Sequence, residues 1–118
     1  MSDLRPAQAT KTLRDNAVSL QQLGDELETA YVELALSRAS FLDAENKAHQ
    51  EYFAGKTDIM VSALDKWIKT QTYEERKANE LADLNVKKLR SRYEILKEVN
   101  DALKFSFRIV EMTSKNMF

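Results

Sequence analysis

Leu13, Leu20, Leu27, Leu34, Phe41 and Ala48 lie seven residues apart, and Leu23, Ala30 and Ala44 each follow a member of that series by three. Apolar positions alternating at three and four residues fall on one stripe of an α-helix. The pattern predicts a helix from about residue 10 to 54, close to 65 Å long at about 1.5 Å per residue. Gly24 sits inside it and weakens it by roughly 1 kcal/mol relative to alanine without breaking it. Gly55 is the expected stop, because glycine enters the left-handed conformation that closes a helix.

A second helix is expected over 58–69, opened by Thr57 and Asp58. It carries Met60, Ala63, Leu64, Trp67 and Ile68 as a short apolar face. Thr72 followed by Glu75 has capping-box spacing for a third helix. That third helix should run from about 73 to 113. Leu89, Leu96, Leu103 and Val110 repeat every seven residues, and Val86, Tyr93, Asn100 and Phe107 precede them by three. These are d and a positions of consecutive heptads. The first and last helices are similar in length. The expected fold is therefore all-α and single-domain over 1–118: a long antiparallel, coiled-coil-like helical hairpin with a short helix near its tip.

The third helix has a second apolar set outside this seam: Ile95, Ala102, Phe105, Ile109 and Met112. One partner helix cannot cover two faces, and two helices make a thin core. Further copies of the chain are expected to cover the remainder, giving a homo-oligomer. The alternative is that the Trp67 helix folds back over this region. Asn100, at an a position, would fix register or oligomer number if buried, or face water if the seam opens there.

Composition narrows the classes. The chain of 118 residues has two glycines, one proline and no cysteine, so few points force a helix to end and there is no thiolate chemistry. No stretch reaches the roughly 20 apolar residues of a membrane span, and no apolar signal core precedes the first helix, so a cytoplasmic location is expected. No phosphate loop, zinc motif or nucleophile elbow is present, and no cofactor is implied. His49, the single histidine, has Glu45 four residues before it, but two ligands do not make a metal site. A non-enzymatic protein is expected.

The net charge of −1 conceals an asymmetry: residues 1–60 carry −4 and residues 61–118 carry +3. The basic excess gathers at Lys87, Lys88, Arg90, Arg92 and Lys97, with Arg90, Lys97 and Lys104 in a seven-residue series and Tyr93 among them. Cations beside an aromatic ring suit single-stranded nucleic acid, whose phosphates pair and whose bases stack. A solvated face paired with Asp25, Glu26, Glu28 and Glu33 accounts for the same residues.

The run KAHQEYFAGK (47–56) resembles the Lys-Ala-Arg-Leu-Asp-Tyr-Tyr-Ser-Gly-Arg element of the UvsY family, the recombination mediators of T-even bacteriophages. A long closing helix follows in both, and LKEVNDALKFSFRIVEM (96–112) occupies the place of a similar amphipathic stretch. The resemblance spans about two-thirds of the chain. It implies a ring-like homo-oligomer that binds single-stranded DNA and a single-strand-binding protein, and helps load a RecA-like recombinase. The family's DNA-contacting element falls on Lys47, Ala48 and His49, and its closing basic residue on Lys56. His49 stands where the family has arginine. A coiled-coil protein-interaction module, either an assembly factor or a phage inhibitor of a host protein, fits the seam and the near-zero net charge equally well.

Overall fold

A computed structural model describes residues 6–116 of the chain. Of these residues, 93% are helical and none is in a strand. The elements are α1 (Pro6–Phe53), a 3-10 turn (Val61–Ala63), α2 (Leu64–Gln71) and α3 (Tyr73–Asn116). Their contacts gather into two compact units, Met1–Leu27 with Lys88–Phe118, and Glu28–Lys87.

In the first unit, α1 begins a turn earlier than the leucine series suggests. Ala9, four residues before Leu13, is already buried and extends the stripe. Leu13, Leu20, Leu23 and Leu27 are half-buried on the same face of α1. On α3, Leu89 and Asn100 are buried, while Tyr93, Leu96, Leu103 and Phe107 are half-buried. The heptad seam is therefore the packed face in this unit. Val110, its last member, is exposed.

In the second unit, Ala30 and Ala48 on α1 and Val86 on α3 are the buried small apolar residues. The Ser37 hydroxyl donates to the Leu34 carbonyl at 3.0 Å and lies 3.4 Å from Asn79 Oδ1, a side-chain contact between the α1 and α3 legs of this unit. The end of α1 is closed by two reversed hydrogen bonds: Gly55 N–H to the Tyr52 carbonyl (3.1 Å) and Lys56 N–H to the Glu51 carbonyl (3.2 Å). Gly55 has φ of 72°, so this is the Schellman arrangement, which a side chain at that position would strain.

The connection departs from expectation. The helix predicted over 58–69 does not start after Thr57. Met60 is extended (φ −65°, ψ 144°), the 3-10 turn follows, and the α-helix begins only at Leu64 and lasts to Gln71. The Thr57 hydroxyl is buried without a hydrogen-bond partner among the described residues, so it caps none of them. The β-branched Ile59 and Val61 flank the extended residue, and β-branching favours that conformation over helix. Met60 is consequently 76% exposed and lies outside the packed face, which reduces to buried Ile68 with half-buried Leu64 and Trp67.

Thr72 alone joins α2 to α3. The capping-box spacing predicts that its hydroxyl reaches forward to α3, but it reaches back. Both its N–H (2.9 Å) and its Oγ1 (2.7 Å) donate to the Ile68 carbonyl, while its own carbonyl accepts from Arg76 N–H (2.9 Å). Thr72 is only 2% exposed, so its hydroxyl must find a partner within the fold, and it shares the Ile68 carbonyl one turn back with its own N–H.

Candidate nucleic-acid interface

The residues singled out for phosphate contact lie in both units. Lys47, His49, Lys56 and Lys87 belong to the second, and Lys88, Arg90 and Arg92 to the first. Lys47 is exposed and pairs with Asp43 one turn earlier at 3.0 Å; Lys87 pairs with Asp83 in the same way at 2.9 Å. Exposed pairs of this kind contribute about 0.3–0.5 kcal/mol, so a phosphate can replace either carboxylate at little cost.

His49 differs from its neighbour. Its Nδ1 lies 2.8 Å from the Glu45 carbonyl, which can only accept, so Nδ1 carries the proton. The ring also stacks on Phe53 (centroids 6.5 Å apart, planes at 20°), and Tyr52 meets Phe53 edge-on at 5.4 Å. Two positions apart on a helix, Lys47 and His49 point about 200° away from each other. Between them Ala48 is buried. Lys56 follows the Gly55 turn and is exposed. The tip therefore presents an aromatic cluster, with Phe53 77% exposed, rather than a convergent basic site. The spacing of 49, 52 and 53 is the signal that could have revealed this cluster.

On α3 the basic cluster also diverges. At about 100° per residue, Lys88 and Arg92 share one side and Arg90 points the other way. Both sides flank the seam and all three residues are exposed. A further feature escaped charge counting. Tyr73, the first residue of α3, has the Arg76 guanidinium 5.8 Å and the Lys77 ammonium 5.7 Å from its ring centroid.

The second apolar set of α3 is exposed. Ile95 (60%), Phe105 (66%), Ile109 and Met112 remain open, and Val99 joins them. These positions follow three- and four-residue steps on the face turned away from the seam, bordered by Glu94, Glu98 and Asp101. Asn100 does not belong to this face. It is 3% exposed within a single chain, and its Oδ1 has no hydrogen-bond partner among the described residues.

No helix among the described residues is long and apolar enough to cross a membrane. No family model, curated protein or solved structure matches the chain.

Proposed function

We propose that this protein is a self-assembling accessory factor of phage recombination, which binds single-stranded DNA and helps load a RecA-like recombinase in the presence of single-strand-binding protein. The observation that carries the reading is the resemblance of residues 47–56 and 96–112 to the UvsY family. The exposure of Lys47, Lys56, Lys88, Arg90 and Arg92 supports it. These exposed candidate contacts are only a few per chain, so affinity has to come from repetition. An oligomer held through Ile95, Phe105, Ile109 and Met112 would multiply modest patches into avidity along one strand. The reading needs no active site: a multimeric scaffold holds DNA in a usable shape through many weak, salt-sensitive contacts.

The test is binding of labelled homopolymeric oligonucleotides at low and moderate salt. Phosphate contacts carry little sequence preference, so different homopolymers should bind within about tenfold of one another. Replacing Lys87, Lys88, Arg90 and Arg92 with alanine should weaken binding and flatten its salt dependence, because fewer counterions are released. A wild-type protein that binds no single-stranded DNA at about 50 mM salt sinks the reading. The exposed apolar face of α3 favours a second reading, a helical protein-interaction module without nucleic-acid binding, and that null result would select it.

A further inference from the structure

Between the two legs of the second unit lies an open groove of about 420 Å³. Leu34 and Phe41 form its floor with Leu42 beside them, and Glu45, Glu80 and Asp83 stand along it against a single cation, Arg38. The α1 side runs from Leu34 to Glu45, three turns of helix or about 16 Å. Asp83 is held by Lys87, but neither Glu45 nor Glu80 takes part in an ion pair among the described residues. Glu45, Asp83 and the polar Asn79 of this lining are half-buried, so their charges and dipoles act in a setting less screened than open water.

Two packed helices bury one seam each and leave a furrow on either side. A third helix laid in such a furrow completes a three-helix layer and removes apolar floor from water. The charge on this furrow selects the helix. It must carry leucine-like side chains at three- and four-residue spacing and lysine or arginine beside them. The chain's own exposed stripe does not qualify. Over Ile95, Val99 and Ala102 it is bordered by Glu94, Glu98 and Asp101, which would meet carboxylates of like sign. The run flanked by Lys104 and Arg108, Phe105 to Met112, is only about 11 Å long and shorter than the groove.

We propose that this groove is a docking site for a cationic amphipathic helix of another protein, anchored on Leu34, Phe41 and Leu42 and clamped by Glu45, Glu80 and Asp83. The site does not depend on whether the chain binds DNA. Docking and assembly use different faces: the groove takes a partner, and the α3 stripe takes a second copy.

The probe is a fluorescein-labelled helix of leucine and lysine, about 18 residues long, with a leucine–glutamate counterpart, followed by anisotropy at about 150 mM salt. The full-length wild-type chain should bind the lysine helix and leave the glutamate helix free. Glu80→Lys with Asp83→Lys should weaken binding by about tenfold or more, and the uncharged Leu42→Gln should weaken it as well. Glu94→Lys with Glu98→Lys, outside the groove, should leave it unchanged. All of these positions are helical, and circular dichroism checks that each variant keeps its fold. The proposal is overturned if the lysine helix fails to bind, if both helices bind alike, if Leu42→Gln has no effect, or if the outer charge reversals weaken binding as much as the inner ones. It is also overturned if the Glu80→Lys, Asp83→Lys chain loses an oligomer that the wild type forms, because the groove then belongs to a second copy.

Discussion

A Cβ placed on Gly24 would stop 3.9 Å from Cε2 of Tyr93, an ordinary van der Waals distance. The glycine is helical, its φ is not positive, and nothing at this point of the α1–α3 contact requires the missing side chain. Gly24→Ala should therefore stabilise the protein by about 1 kcal/mol, through lower backbone entropy in the unfolded chain and a small gain in contact. Thermal unfolding should shift upward by about 4 °C for a chain of this size. A lowered midpoint would mean that Tyr93 has no room for the methyl group.

Thr72 leads to a prediction of opposite sign. Its buried hydroxyl contributes a hydrogen bond to the Ile68 carbonyl, which also receives the Thr72 N–H. Thr72→Val keeps the shape and removes the donor, and should cost about 1 kcal/mol. Thr72→Ala adds a void and should cost about 1 kcal/mol more. Urea unfolding of the two variants separates the terms. Equal midpoints for Thr72→Val and wild type would remove the hydroxyl from the account of the α2–α3 junction.

Asn100 is buried in its own seam with an orphan carbonyl oxygen, which costs about 1–3 kcal/mol of desolvation that no partner returns. Asn100→Leu should raise stability by about that amount, and Asn100→Asp should lower it below wild type by burying a charge. The leucine variant also reports on specificity: if the asparagine fixes the register of the α1–α3 seam, the gain in stability should come with a less cooperative unfolding transition. A leucine variant less stable than wild type would show that the Asn100 amide makes interactions that outweigh its orphan oxygen.

The seam was legible because it rests on repetition. Seven-residue series from Leu13 to Ala48 on α1 and over Val86 to Val110 on α3 name residues that the fold covers, with the exposed Val110 as the exception. The connection was not legible, because it rests on single hydroxyls. Thr57–Asp58 and Thr72–Glu75 both have the letters of a helix start. Yet the Thr57 hydroxyl has no partner among the described residues and the Thr72 hydroxyl bonds back to the preceding helix. Spacing cannot state which of two adjacent helices a buried hydroxyl will serve. The basic cluster failed to resolve for a geometric reason. Counting charges from 87 to 92 groups residues that helical twist sends in different directions, whereas the aromatic trio His49, Tyr52 and Phe53 was visible in its spacing and went uncounted.

The exposed stripe on α3 bears on assembly. Ile95, Val99, Phe105, Ile109 and Met112 together expose far more contiguous apolar surface than singly scattered residues would. Burying it against a second copy is favourable at about 25 cal/mol per Å² before association entropy is subtracted. The wild-type chain should therefore sediment as a homo-oligomer at micromolar concentration. Phe105→Glu with Ile109→Glu should give smaller species with unchanged helix content, since both side chains are exposed in the single chain and contribute little to its own seam. Asn100→Asp, inside the seam, should instead lower the unfolding midpoint, and that contrast separates an assembly surface from a folding core. A wild-type chain that sediments as a monomer at micromolar concentration would refute the assembly reading and leave the α3 stripe without a second copy to cover it.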